Sequence, residues 1–190
     1  PAFYRAMTVM VVASPCALVL SVPSAIARRM RSQIRSVVMR GLALSVANTL
    51  SQAAGCECTD LGIVPDRLDA TRDELRRAAV AHDLILSSGG VSVGEGDHIK
   101  PAVAAEGRIE LWQVAIKPGK PLAFGAVRRA DGGETLFMGL PGNPVSSFVT
   151  FLLAVAPVLR VMQGMAAALP EAMPLQAHFD WPRPDLRREF

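Results

Sequence analysis

Little in this chain speaks for a secreted protein or a nucleic-acid binder. Cysteine is scarce: Cys16, Cys56 and Cys58 are the only three in 190 residues. That is too few thiols for a disulfide framework, and a reducing, cytoplasmic setting is expected. Histidine is equally scarce, and none lies at zinc-finger spacing from Cys56 and Cys58. The pair therefore reads as the flank of a strand start and not as half of a metal site. Aromatic residues make up 5% of the chain, with one tyrosine, and none alternates with basic residues. That excludes a stacking platform for single strands, and no nucleic-acid partner is expected. Acid is missing from residues 1–40, where Arg5, Arg28, Arg29, Arg31, Arg35 and Arg40 supply +6. The whole chain carries +3, so the rest carries −3, and the pI near 9.1 reflects one end of the chain.

Charge of either sign is absent from residues 6–27, a run of 22 residues in a chain whose mean hydropathy is +0.30. Such a run is long enough to cross a bilayer, and the "ARRMR" after it would hold that end on the cytoplasmic side. Membrane contact is expected through this segment alone. A cleaved signal peptide fits less well, because the run is long and Pro15 and Pro23 interrupt it. Ser14-Pro15-Cys16 resembles the intramembrane metal site of heavy-metal-transporting P-type ATPases, where a proline unwinds the helix and a thiolate holds the metal. The Asp-Lys-Thr-Gly-Thr loop of that family has no counterpart in the sequence. Residues 1–40 accordingly read as a fragment or tether, and a piece of a metal-transporting membrane ATPase is the remote alternative.

Beyond residue 41 the pattern alternates between helix and strand. "GLALSVANTLSQAAG" has helical spacing and a glycine stop at Gly55. Residues 56–64 read as a strand and exit loop, and Thr71 with Glu74 reads as a capping box opening a helix. Residues 84–88 form a buried strand, residues 99–105 a helix, and residues 111–116, 122–127 and 135–140 strands. A long helix starts at Pro144 with Asn143 as its N-cap and stops near Gly164. Strands separated by helices indicate an α/β layer fold with a largely parallel sheet. The domain is expected over residues 41–165, with residues 166–190 as a linker and the start of a further domain.

Ligands of open α/β sheets sit at the carboxyl ends of the strands, and three loops fall there. The first is "SSGGVSVGEGDHIK". Gly89 and Gly90 let the backbone approach an anion closely, Gly94 and Gly96 permit conformations that side chains would block, and Asp97 and Lys100 lie near the next helix start. A generic tight connection would look similar. The second is "AIKPGKPLAFG", where Lys117 and Lys120 flank Pro118-Gly119. Two ammonium groups on so short a turn repel unless an anion lies between them, the alternative being a hairpin corner with solvated lysines. The third is "GLPGNPVSS", where Pro141, Gly142, Asn143 and Pro144 join a strand to the long helix. Capping alone explains Asn143 and Pro144, but not three such loops at one end of one sheet.

"DLGIVPD", "SSGGVSVGEGD", "VAIKPGKPLAFG" and "GLPGNPVSSFVTF", in this order over residues 42–165, resemble the molybdopterin molybdenumtransferase family, which includes the bacterial MoeA proteins and the gephyrin C-terminal domain. The resemblance implies a three-layer α/β/α molybdopterin-binding-type domain, preceded here by an apolar N-terminal helix. It also implies an enzyme of molybdenum cofactor biosynthesis that inserts molybdate into adenylylated molybdopterin and releases AMP with Mg²⁺, as a homo-oligomer. Asp97 would serve catalysis and the metal ion, Lys117 and Lys120 would hold molybdate or phosphate, and Ser88 and Ser92 with the glycine amides would bind the cofactor's phosphate oxygens. Pro141 and Pro144 would shape the wall beside the pterin. Some features depart from the family. Gln113, after Trp112, stands where a lysine is usual. The family's first strand, with its Gly-Asp-Glu-Leu-type loop, its large N-terminal domains and most of its C-terminal domain have no counterpart. The sheet is thus expected to lack an interior strand, and a catalytically incomplete molybdopterin-binding module is the alternative.

Overall fold

In the computed structural model, residues 35–39, 44–91, 98–166 and 188–189 are described. The apolar run over residues 6–27 and most of the expected C-terminal linker lie outside them. In chain order the elements are β1 (Arg35–Met39), α1 (Leu44–Ala53), β2 (Glu57–Asp60), α2 (Leu68–Ala81), β3 (Leu84–Ser88) and α3 (Ile99–Glu106). There follow β4 (Gly107–Gln113), β5 (Ile116–Lys117), β6 (Pro121–Arg128), β7 (Glu134–Leu140) and α4 (Pro144–Thr150). A π-helical turn over Phe151–Val155 continues α4 into α5 (Ala156–Met162), and β8 is Arg188–Glu189.

Six strands form one sheet in the order β2-β1-β3-β7-β6-β4. The β1–β2, β1–β3 and β3–β7 pairs are parallel, whereas β6 is antiparallel to both β7 and β4. The largely parallel sheet thus carries an antiparallel hairpin at one edge. Alternation along the interior strands builds two cores. Leu84, Leu86, Leu136, Met138, Leu122 and Phe124 pack with Ala47, Phe151, Val155 and Val158 on the α1/α4/α5 face. Ile85, Phe137, Ala123 and Val127 pack with Leu75, Ala78, Ile99 and Val103 on the α2/α3 face. A strand buried on both faces reads as an unbroken apolar run, as Leu84-Ile85-Leu86 does. The result is three layers, α/β/α.

The expected gap in the sheet is filled. Arg35–Met39 lies between β2 and β3, with Val38 opposite both Asp60 and Leu86. Its pairing supplies backbone partners that neighbouring strands would otherwise lack. The run is too short and too close to the arginine cluster to stand out by pattern.

The expected helix stops are real: after α1, Gly55 and Cys56 N–H donate to the Gln52 and Ser51 carbonyls, and after α5, Gly164 and Met165 donate to Val161 and Arg160. These are paired bonds of the Schellman type. The capping box at Thr71 is corrected. The helix begins at Leu68 behind Arg67, so Thr71 is already helical, buried, and donates its Oγ1 to the Arg67 carbonyl at 2.9 Å. Asp69 occupies the first turn instead and accepts from Ala70 N–H at 2.9 Å. The strand expected at residues 111–116 begins four residues earlier and stops at Gln113. Its polar start is held by Arg108, which donates to Glu110 at 2.8 Å and also pairs with Glu134 of β7. Cys56 is buried ahead of β2; burial first, then the neighbouring Cys58, push its thiol up to about 11. That suits a packing residue and not a reactive thiol.

Candidate functional site

Sheet register brings the three loops to one end. Ser88 ends β3 opposite Leu140, the last residue of β7. Because β6 runs antiparallel to β7, its start lies at that same end, with Ala123 opposite Gly139. Gln113, the last residue of β4, is opposite Pro121 there, and Asp60, the last of β2, is opposite Val38. The ladder runs one residue beyond β3, since Gly89 N–H donates to the Leu140 carbonyl at 2.9 Å.

The first and third loops touch backbone to backbone. A Cβ on Gly142 would lie 3.6 Å from the Gly89 Cα, which is ordinary contact with no side chain between. Gly89 and Gly90 have φ of +85° and +72° and turn the chain in conformations that L side chains rarely adopt. Val91 then folds back over the strand ends: a Cβ on Gly139 would stand 2.3 Å from Val91 Cγ1 and 3.3 Å from Ser87 Oγ. Ser92, Gly94 and Asp97 lie outside the described residues.

Among the described residues, two hydroxyls at this end have no protein partner. Ser87 and Ser88 are 0% and 1% exposed, and neither Oγ is hydrogen-bonded. A buried hydroxyl without a partner costs about 1–3 kcal/mol. Such groups are rare in folded proteins and call for an explanation at each occurrence. Successive strand residues face opposite sides of the sheet, so the two hydroxyls lie on opposite faces of β3. Ser87 was not singled out in the sequence; the break of an apolar strand into two consecutive serines was the available signal.

In the third loop, Asn143 Oδ1 accepts from Val145 N–H at 3.0 Å and Ser146 N–H at 3.2 Å, as expected of the N-cap of α4. Ser147 is buried on the next turn and donates its hydroxyl to the Pro141 carbonyl. Pro141 is buried under the loop, whereas Gly142, Asn143 and Pro144 are exposed. Of the two prolines expected to form a wall, Pro144 is thus the one that meets solvent.

The second loop is an excursion between β4 and β6. Val114 N–H donates to the Lys120 carbonyl at 3.1 Å and closes its base. The Lys117–Pro118 peptide is cis, and Gly119 has a φ of +123°. Gly119 is buried because a Cβ there would meet Thr150 Cγ2 at 2.6 Å and Ile116 Cδ1 at 2.9 Å. The turn is therefore seated on the last residue of α4. Lys117 is half-buried and Lys120 exposed. Lys100, on α3, stands over the Trp112 ring of β4, 5.0 Å from its centroid. An exposed contact of this kind is worth about 0.5–1 kcal/mol, and it draws Lys100 toward the sheet edge.

Among the described residues no three His, Cys, Asp or Glu side chains gather as a metal site. The described side chains alone do not make a Mg²⁺ site, and Asp97 lies outside them. What the arrangement offers chemically is close backbone approach at Gly89 and Gly142, two buried hydroxyls unpartnered among the described residues, and lysines on a fixed turn. Backbone amides, hydroxyls and ammonium groups of this kind are able to bind and position a phosphorylated ligand.

Comparison with known proteins agrees with this fold. Residues 41–161 match the family described as "probable molybdopterin binding domain". The chain is 45% identical over 109 residues to a molybdopterin molybdenumtransferase of Haemophilus influenzae, covering 57% of this chain and 26% of that protein. It is 39% identical over 115 residues to gephyrin of Dictyostelium discoideum, covering 55% of this chain and 16% of that protein. The chain thus spans about a quarter or less of the curated relatives it matches. Its fold is like that of the molybdopterin biosynthesis MoeA protein from Pyrococcus horikosii, with a TM-score of 0.55 at 21% identity over 70% of this chain and 36% of that one. With its matched region extending over more than half its length, the chain belongs to the probable molybdopterin binding domain family.

Proposed function

We propose that this chain acts in molybdenum cofactor biosynthesis, taking adenylylated molybdopterin and molybdate as substrates and releasing AMP. The observation that carries the reading is the meeting of Gly89 and Gly142 beside the Ser88 hydroxyl, which has no partner among the described residues, with the lysine turn at the same strand ends. In this reading the glycine amides and Ser88 receive phosphate oxygens, and Lys117 and Lys120 neutralise the oxyanion. Phosphoanhydride cleavage needs mainly charge neutralisation and positioning, which these groups supply. Asp97 would hold Mg²⁺, which when bound would further neutralise phosphate charge. The reaction is placed in the cytoplasm, and a homo-oligomer belongs to the same proposal.

A second reading, a module that binds the cofactor without converting it, is favoured by Gln113. It ends β4 opposite Pro121, at the end of the sheet where the loops meet, and brings no charge there. The deciding experiment follows AMP release from adenylylated molybdopterin with molybdate and Mg²⁺ present and then withheld, alongside binding of the same ligand. Metal-dependent release that Asp97→Asn abolishes supports the enzyme. Binding without release supports the module, and no binding sinks both.

A further inference from the structure

The lysine turn is held from three sides. Its base is closed by the Val114–Lys120 hydrogen bond, and one flank is seated by Gly119 on Thr150. The third hold comes from β8. Arg188–Glu189 pairs in parallel with β5, Ile116 opposite Arg188 and Lys117 opposite Glu189. β5 lies outside the six-stranded sheet, and among the described residues β8 is the strand that pairs with it. Backbone groups of Lys117 thus find ladder partners in a segment far along the chain, which belongs to none of the three loops.

We propose that β8 is a positioning element for the lysine turn: by pairing with β5 it fixes the backbone at Lys117, so that affinity for a tetrahedral oxyanion depends on residues 188–189. The inference rests on the reading of Lys117 and Lys120 as anion-binding residues. A lysine side chain has four rotatable bonds, and the entropy lost on meeting an anion is paid in full if its backbone also wanders. Holding Lys117 in a ladder removes the backbone share of that cost before the anion arrives. A two-residue ladder closing a long stretch of chain is also the weakest of the three holds, and the first to open in local fluctuations. Ile116 is buried, so loss of β8 leaves the turn attached but loosened at Lys117.

The test compares the full chain with a chain ending at Arg187 and with Arg188→Pro. Pro118 has no N–H to give the Glu189 carbonyl, so in this register Arg188 is the residue that donates to β5, and proline removes that donor. Arg188→Gln keeps the ladder and serves as the control for charge. Molybdate binding is measured by calorimetry, and amide hydrogen exchange is followed at Lys117 and, as a core reference, Leu84–Leu86. Both ladder-breaking variants should lose roughly tenfold in molybdate affinity, the scale of one anchoring interaction. They should exchange faster at Lys117 and leave Leu84–Leu86 unchanged, whereas Arg188→Gln should behave as the full chain. Unchanged exchange at Lys117 overturns the hold by β8. Faster exchange with full affinity overturns its role in binding, and an equal loss in Arg188→Gln assigns the effect to charge and overturns the strand. A full chain that fails to bind molybdate overturns the anion reading beneath the proposal, a failure visible before any variant is made.

Discussion

Gly119→Ala asks how firmly the lysine turn is seated. A methyl at this position would stand 2.6 Å from Thr150 Cγ2 and 2.9 Å from Ile116 Cδ1, at a φ of +123°. Carbon atoms settle at about 3.5–4.0 Å, so Thr150 or the turn must yield by about 1 Å. Overpacking of this kind costs about 1–3 kcal/mol, and the left-handed backbone costs an L residue about 1–2 kcal/mol more. With the turn immobile, the two together come to about 2–5 kcal/mol. Thr150 is the less able to move, since it is buried and its hydroxyl donates to the Ser146 carbonyl at 2.7 Å and the Ser147 carbonyl at 3.2 Å. The turn should therefore give way, with a stability loss near the lower bound, about 2 kcal/mol, and a weaker anion affinity from displaced lysines. Thr150→Ser removes the obstructing methyl and keeps the hydroxyl. In the Gly119→Ala/Thr150→Ser double variant the steric part is relieved while the backbone part remains. Urea unfolding of the four proteins should give a favourable coupling of about 1 kcal/mol, with molybdate binding partly restored. Additivity within about 0.5 kcal/mol would refute the contact. Full stability and affinity in Gly119→Ala would refute the seated turn altogether.

Three further outcomes are expected. Ser87→Ala and Ser88→Ala each delete a buried hydroxyl without a partner among the described residues, so each should raise unfolding free energy by about 1 kcal/mol, and Ser88→Ala should also weaken adenylylated molybdopterin binding; destabilisation by both would mean that the hydroxyls are satisfied in the free protein. Asn143→Ala should cost about 1 kcal/mol by leaving Val145 and Ser146 N–H uncapped. Asn143→Asp should keep the cap yet lower oxyanion affinity, and equal affinity in Asn143→Asp would remove this loop from the anion site. The Glu106 carboxylate accepts from Arg76 at 2.7 Å and from Arg72 at 2.6 Å. These bonds, Arg76 first, hold its carboxyl below the usual range against the opposing effect of burial. A depressed folded value means that this stabilisation is present above the unfolded value of about 4.3 and is lost as pH falls through the folded one. Glu106→Gln should accordingly flatten the decline of stability below about pH 4.3, as read by thermal unfolding; an unchanged slope would show that the clamp between α2 and α3 contributes nothing there.

Legibility in the sequence followed the range of the interaction. Gly55, Gly164 and Asn143 announced helix ends because capping is settled within a few residues. Leu84-Ile85-Leu86 announced a buried strand because burial on both faces leaves an unbroken apolar run. Thr71 misled because its spacing to Glu74 satisfies a local motif, while packing of Leu75 and Ala78 extends the helix back to Leu68. Arg35–Met39 was overlooked because its place between β2 and β3 is fixed by partners distant in sequence. The β4 boundary slipped because Arg108 is tolerated in a strand only through Glu110 and Glu134.

By itself, then, the sequence determined the alternation of helices and strands, the loops that could approach a phosphate, and the family. Each depends on residue type and short spacing, which propensity and backbone sterics translate directly. Only the tertiary structure decided that β6 reverses direction beside β7, and so that the lysine turn lies at the glycine-loop end of the sheet. It alone decided that Gly89 meets Gly142, that Gly119 rests on Thr150, and that Ser87 and Ser88 lie buried with no partner among the described residues. These follow from strand order and register, which are set by the summed burial of two cores and by backbone pairing across the sheet, quantities that no local stretch of chain contains.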